Sequence, residues 1–136
     1  FDVEVIGTDP HVDRRLPAVA EVDIPFYAGL QIGVPALPSV VEALADGRYD
    51  LVHLCSPGPS GVAAALIAKA MGLPIVASYH TELAQYAGLR AADPRIELGM
   101  TMALSAFYGA AEHVLSPSAA SDGRLQRLGI AAEKIG

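Results

Sequence analysis

The sequence is short of cysteine and of basic residues. It has one cysteine, Cys55, so no disulfide can form within the chain, which fits a reducing cytoplasm. Lysine and arginine together number 9 against 15 aspartates and glutamates, and the formal net charge is −6. Nucleic acids and anionic lipid surfaces both attract clustered basic residues, so both are poor partners for this composition.

Long hydrophobic runs are also missing. The longest apolar stretch, residues 61–77, is interrupted by Lys69, Gly72 and Pro74 and is shorter than the roughly 20 apolar residues of a membrane span. Residues 1–7 carry two acids and lack the basic segment of a secretory signal. We therefore predict a cytoplasmic location without a transmembrane segment, and peripheral membrane contact stays open.

The content of hydrophobic residues is nevertheless high, at 52% of 136 residues, which predicts one domain with a buried core. Its most informative segment, residues 49–82, reads YDLVHLCSPGPSGVAAALIAKAMGLPIVASYHTE. Residues 50–54 and 74–79 are short apolar runs typical of buried strands, and residues 62–71 have the apolar spacing of a helix that stops at Gly72. The segment is predicted to be a βαβ unit, in which Cys55 is a small buried hydrophobic residue.

Strands and helices alternate on both sides of this unit. Residues 1–7 alternate apolar and acidic side chains and predict a strand that ends at Gly7, and residues 21–27 predict a second strand. Ser39 is predicted to cap a helix that ends at Gly47, and Pro94 to lie in the first turn of a longer helix. The glycines and prolines before Ser39 predict a turn-rich connection that includes Gly29, Gly33, Pro35 and Pro38.

A short strand at residues 113–116 and a last helix capped by Ser118 complete the pattern. The stripe of the longer helix, which contains Phe107, is expected to pack on the sheet together with Tyr108. The alternation predicts an α/β fold that is Rossmann-like, with a mainly parallel sheet covered by helices in a three-layer α/β/α arrangement.

His80 is the leading candidate for a catalytic residue. It directly follows the predicted strand at residues 74–79, so it is expected to project from the carboxyl end of a central strand into the crevice where α/β sheets bind ligands. The alternative is a hydrogen-bonded histidine that only orders the loop. Glu82 could orient the imidazole, although a solvated position on the loop is the simpler interpretation.

The other candidates suit a polar, hydroxylated ligand. Ser56, Pro57 and Gly58 precede a helix start, where hydroxyls and backbone amides suit sugar hydroxyls or an anionic head group. A plain turn uses the same residues, and the loop lacks the lysine of a phosphate-binding P-loop. Ser116 follows another strand and could line the same crevice, while Tyr86 could stack on a sugar ring.

No metal site is predicted. Asp9, His11 and Asp13 share a loop, but without further ligand spacing such residues are usually solvated. His53 alternates with apolar residues of its strand and is predicted to be a packed or hydrogen-bonded core histidine. No nucleophile elbow with a Ser-His-Asp order is present.

Three segments resemble successive parts of a known family: YDLVHLCSPGPSG, GLPIVASYHTELAQYAG and EHVLSPSAASDGRLQRLGIAAEKIG. They are similar to the N-terminal domain of glycosyltransferase family 4, a family of retaining enzymes with the GT-B fold. The similarity is greatest to members that build glycolipids, such as mannosyl and sulfoquinovosyl transferases. The resemblance implies that residues 1–136 form one acceptor-side Rossmann-like domain of a longer, two-domain protein. It also implies that the family's first strand lies before residue 1 and its donor-binding domain after residue 136.

The resemblance assigns roles to the candidate residues. His80 would be the catalytic histidine beside the transferred sugar. The acceptor side would be lined by Ser56, Pro57, Gly58, Thr81, Glu82, Tyr86 and Ser116. A nucleotide-sugar is the implied donor substrate, a lipid or small molecule the acceptor, and no cofactor or metal is implied.

A domain that lacks its donor-binding partner is not expected to transfer sugar alone, and exposed sheet edges would favour association between chains. Two alternatives stay open: a nucleotide-sugar epimerase of similar architecture, and a non-catalytic binding module on a Rossmann-like shell.

Overall fold

The structure is a computed structural model that describes residues 2–23, 31–80 and 94–136. The strands of these residues are Ile6–Gly7 (β1), Arg14–Arg15 (β2), Ala18–Asp23 (β3), Gln31–Pro35 (β4), Val52–Leu54 (β5), Ile75–Ser78 (β6) and His113–Leu115 (β7). The helices are Leu37–Asp46 (α1), Pro59–Ala70 (α2), Pro94–Gly109 (α3) and Ala119–Arg127 (α4), followed by a 3-10 turn at Ala132–Lys134.

The central sheet is parallel and has the order β5-β6-β7. Val52 pairs with Ile75 at the start of the β5–β6 ladder, and Val76 pairs with His113 at the start of the β6–β7 ladder. Helices α2 and α3 form the crossovers between these strands, as parallel neighbours require. The fold is therefore α/β and Rossmann-like with a parallel central sheet, as the sequence predicts.

Buried apolar side chains of the central strands share one face of this sheet. Alternate strand residues, Leu54, Ile75, Ala77 and Val114, are buried there. Helix α2 contacts β5 and β6 with small side chains, since Ala63, Ala65 and Ala68 are its buried residues. Small side chains at this contact let the helix lie close to the strands.

An aromatic cluster packs at the carboxyl end of β6. The rings of Tyr79 and Tyr108 have centroids 5.5 Å apart, and Phe107 meets Tyr108 edge to face at 5.0 Å. Tyr79 also extends the ladder beyond β6, because its amide donates to the Leu115 carbonyl at 2.9 Å. The predicted packing of Phe107 and Tyr108 against the sheet is confirmed, and the cluster fixes the backbone just before His80.

The burial of Tyr108 predicts a loss of stability at high pH. Its side chain is 1% exposed, and burial together with the neighbouring Tyr79 raises the pKa of Tyr108 from 10.0 to about 12. The folded-state pKa lies above that of the unfolded chain, so this stabilisation is complete below pH 10 and is lost between about pH 10 and 12. Over this window we expect the free energy of unfolding to fall by roughly 2 kcal/mol more than in Tyr108→Phe.

Urea unfolding at a series of pH values from neutral to alkaline measures this difference. Below pH 10 the free energies of unfolding of the unaltered protein and of Tyr108→Phe should change with pH in the same way, because Tyr108 is protonated in both the folded and the unfolded state. An equally steep alkaline decline in Tyr108→Phe would contradict the assignment.

Two further pairs of strands lie before the central sheet. β3 and β4 are antiparallel, and β1 and β2 form a two-residue parallel pair. Arg14 of β2 connects the β1–β2 pair to α1. Its guanidinium group donates a hydrogen bond to the Ala43 carbonyl at 3.4 Å and forms an ion pair with the Asp46 carboxylate at 3.3 Å. Tyr49 likewise donates a hydrogen bond to Glu4.

The prediction of a strand over residues 1–7 is mostly wrong. The strand ends at Gly7 as expected, but residues 2–5 are not in a strand. The physical reason is the short partner, because only Ile6 and Gly7 pair with β2. The Val5 amide instead donates to the Asp13 carboxylate at 2.7 Å.

The predictions for the segment before β5 need two corrections. The strand predicted at residues 21–27 corresponds to β3, which starts earlier, at Ala18, and is described as far as Asp23; residues 24–27 lie outside the described residues. Of the predicted turn-rich connection, Gly33 and Pro35 lie in β4, where proline is tolerated because it stands at the strand's end. Pro38 lies in the first turn of α1, and Gly29 lies outside the described residues.

Helix ends were predicted with mixed success. Helix α1 begins at Leu37 after Ala36 without a side-chain cap, so the cap assigned to Ser39 is wrong; Pro38 fits that first turn. The cap assigned to Ser118 is confirmed, since its side chain accepts from the Ser121 amide at 3.2 Å.

Candidate functional site

Three candidate segments meet at one edge of the central sheet. Residues 55–58 follow β5, residues 79–80 follow β6 and residues 116–118 follow β7. The strands are parallel and adjacent, so all three segments leave the sheet at its carboxyl edge. Strands in a sheet lie about 4.8 Å apart, which places the ends of β5 and β7 about 10 Å apart with β6 between them.

His80 stands at the centre of this edge and is exposed. Strand alternation puts it on the side opposite to Ile75, Ala77 and Tyr79, whose side chains are buried. The buried Tyr79 ring therefore anchors the chain on the core side while His80 faces away from the core. The predicted position of His80 at the end of a central strand is confirmed; its catalytic role stays a prediction.

A hydrogen bond between two strands lies just below His80. The Nε2 atom of His53 on β5 is 2.6 Å from the Oγ atom of Ser78 on β6. The predicted hydrogen bonding of His53 is confirmed, but its predicted place in the core is wrong because the residue is exposed. Ser78 is buried, and its role was missed because the contact depends on strand register.

The segment after β5 leads directly into α2. Gly58 is the residue before the helix, and Pro59 occupies its first turn, where its missing amide costs nothing. The first backbone hydrogen bond of the helix runs from Val62 to Gly58 at 2.9 Å, so the amides of Ser60 and Gly61 precede it. The first turn contains no acidic residue, which leaves the helix end suited to hydroxyls or an anion.

Gly61 holds this segment in place through close contact. A Cβ atom on Gly61 would overlap the Ser56 carbonyl oxygen and would lie 3.4 Å from the Phe107 ring. Helix α2 therefore packs directly on the backbone of Ser56. This close contact is not visible in the sequence, where a glycine at the start of a helix indicates only a turn or a close approach of backbone.

Ser116 occupies the third strand end and is half-buried. Its hydroxyl donates to the Ser118 carbonyl at 3.1 Å, and its amide donates to the Gly136 carbonyl at 3.0 Å. The side chain therefore orders the loop that caps α4. Its oxygen retains the capacity to accept a hydrogen bond from a ligand.

The remaining predicted site residues, Thr81, Glu82 and Tyr86, lie outside the described residues. Cys55 is exposed, so its predicted burial is wrong. It directly follows Leu54, the buried last residue of β5, and therefore lies beyond the end of the strand.

The aspartates of the 9–13 loop accept hydrogen bonds from the backbone. Asp9 accepts from the His11 amide at 2.8 Å, and Asp13 from the Val5 amide. Within residues 2–23, 31–80 and 94–136, no three histidine, cysteine or acidic side chains are grouped to hold a metal ion. Among the same residues, no helix is both long enough and apolar enough to cross a membrane.

Comparison with known proteins identifies relatives of this chain. The family model described as Glycosyltransferase Family 4 matches residues 1–136. A GDP-mannose-dependent alpha-mannosyltransferase of Corynebacterium glutamicum is 41% identical over 68 residues, which are 50% of this chain and 16% of the relative. A sulfoquinovosyl transferase of Arabidopsis thaliana is 34% identical over 62 residues, which are 46% of this chain and 12% of the relative.

A solved structure supports the fold. The UDP-GlcNAc 2-epimerase of Methanocaldococcus jannaschii superposes with a TM-score of 0.55 over 74% of this chain and 25% of its own. At 19% sequence identity this likeness shows the Rossmann-like fold alone. The chain thus spans a small part of the length of each curated relative that it matches.

Proposed function

The chain belongs to glycosyltransferase family 4, and from that premise we propose that it is the acceptor-binding domain of a retaining glycosyltransferase. The full-length protein would move a sugar from a nucleotide-sugar to a lipid or small-molecule acceptor in the cytoplasm. The observation that carries the proposal is the meeting of three polar segments at the carboxyl edge of the parallel sheet, with His80 at their centre.

The geometry of this edge suits a hydroxylated acceptor. The 56–58 turn offers a serine hydroxyl and leads to the amides that precede the first backbone hydrogen bond of α2. Ser116 offers an acceptor oxygen on the other side of His80. These hydroxyl and amide groups are uncharged and can form hydrogen bonds with a neutral alcohol. We propose that they hold the acceptor with its reactive hydroxyl near His80.

Sugar transfer then breaks the bond between the anomeric carbon and the donor diphosphate, and forms a bond from that carbon to the acceptor oxygen. We propose that the leaving phosphate takes the acceptor's proton, so that no protein carboxylate pair, cofactor or metal is required. His80 would hydrogen-bond the transferred sugar near the anomeric carbon, where positive charge develops in the transition state. Thr81, Glu82 and Tyr86 would complete the acceptor side.

A panel of nucleotide-sugars tests this proposal on the full-length protein. We expect release of nucleoside diphosphate with one donor and an acceptor, and GDP-mannose is the first choice because one relative's name specifies it. The measurement is coupled detection of free diphosphate with GDP-mannose, UDP-glucose, UDP-galactose and UDP-GlcNAc. Folded protein that releases diphosphate from none of a full range of donors would contradict transferase function and favour a binding module.

The same panel separates the epimerase alternative. An epimerase would convert UDP-GlcNAc to its C2 epimer without releasing diphosphate, which chromatography of the nucleotide-sugar pool detects. Only the fold likeness points that way, whereas both curated relatives are named as transferases. We therefore expect no epimer.

A further inference from the structure

An apolar groove lies directly beside the turn at residues 56–58. It is bounded by the end of β4, the start of α1 and the first two turns of α2, and its volume is about 520 Å³. Its walls include Val34, Pro35, Leu37, Pro57, Val62 and Leu66. No charged side chain is among the described residues that line it.

The groove exists because helix α2 leaves two of its large side chains, Val62 and Leu66, exposed, while Ile67 packs against the core. Its alanines face the sheet, whereas Val62 is 40% exposed and Leu66 is 66% exposed. Leu37 on α1 faces the same groove and is 59% exposed. Grouped exposed apolar side chains of this kind mark a surface that binds something apolar.

The size of the groove favours a small molecule over a protein. Ligand pockets usually measure about 300–1,000 Å³ and are lined mostly by apolar side chains with a few polar groups at one end. A stable protein interface needs about 800 Å² and 20–30 residues from each partner. The nine described residues that line this groove are fewer than such an interface uses.

The groove is continuous with the candidate acceptor site. Pro57 and Gly58 line the groove and also belong to the polar turn at the carboxyl edge of the sheet. A molecule with its hydroxyl at this turn would therefore extend any attached hydrocarbon along α2 past Val62 and Leu66. The polar end and the apolar body of one amphiphile fit the two surfaces.

We propose that this groove binds the hydrocarbon chain of an amphiphilic acceptor, an inference that rests on the proposed function and names the class of its acceptor. The hydroxylated head group lies at the strand ends, and the chain lies against Leu37, Val62 and Leu66. Affinity then depends on chain length, because each methylene group that leaves water contributes to binding.

Alkyl glucosides of increasing length test the proposal on the full-length protein. Binding of methyl, butyl, hexyl and octyl β-D-glucoside is measured by calorimetry below the micelle concentration of each. We expect the affinity to rise about threefold for each added methylene group until the groove is filled. Equal affinity for all four glucosides would overturn the proposal.

Two leucine variants locate the binding site. Leu66→Gln should weaken octyl glucoside binding about tenfold and leave methyl glucoside binding unchanged. The matched control is Leu98→Gln on α3, which is 62% exposed but does not line the groove, and it should bind both glucosides as the unaltered protein does. If the affinity for glucosides stops depending on chain length in both Leu66→Gln and Leu98→Gln, or in neither of them, the hydrocarbon chain binds elsewhere.

Direct binding keeps this test separate from the test of sugar transfer. Diphosphate release that does not vary with the acceptor's chain length, together with equal glucoside binding, would overturn the groove proposal alone. Chain-length-dependent binding in a protein that uses no donor would support the hydrocarbon site and contradict transferase function.

Discussion

Replacing His80 with alanine in the full-length protein is expected to lower turnover about 100-fold and to leave stability nearly unchanged. Loss of one group that stabilises developing charge in a transition state costs about 10²- to 10³-fold in rate. His80 is exposed on the side of β6 away from the core, so its removal creates no cavity. The free energy of unfolding should change by less than about 0.5 kcal/mol.

The measurements are steady-state diphosphate release and thermal unfolding of both proteins. The control is His11→Ala, because His11 is also an exposed histidine but lies in the loop between β1 and β2. It should retain full turnover and full stability. If His80→Ala melts normally and turns over at the unaltered rate, His80 is only a loop residue.

The central part of the fold could be predicted from sequence because its signals agree. The apolar runs on either side of α2 correspond to β5 and β6, Gly72 follows the end of α2, and Ser118 caps the start of α4. Gly72 adopts a φ of +74°, a conformation that glycine reaches without strain after a helix. The position of His80 followed from this unit, since the end of a buried strand is visible in the sequence.

Other features depend on contacts that the sequence pattern does not show. β4 contains Gly33 and Pro35, which are typical of turns, and it forms because β3 pairs with it. Helix periodicity places Leu66 on an apolar stripe but does not reveal that alanines take the inner face. The bond between His53 and Ser78 requires the register of two strands 25 residues apart.

Replacing Gly61 with alanine is expected to destabilise the domain and displace the turn at residues 56–58. The added methyl group would overlap the Ser56 carbonyl oxygen, which is backbone and cannot rotate away, and would touch the Phe107 ring at 3.4 Å. Overpacking of this kind costs about 1–3 kcal/mol, partly offset by the better helix propensity of alanine. Urea unfolding should therefore show a net loss of about 1–2 kcal/mol.

Gly58→Ala is the matched control because it lies in the same turn. A Cβ atom there would meet only the Ser56 hydroxyl oxygen at 3.7 Å, and the φ of −71° suits any residue. Gly58→Ala should therefore unfold within about 0.5 kcal/mol of the unaltered protein. Because the turn carries the proposed acceptor contacts, Gly61→Ala should also raise the KM for the acceptor more than the KM for the donor. Equal stability in the two variants, together with an unaltered acceptor KM in Gly61→Ala, would show that α2 does not hold the Ser56 backbone in place.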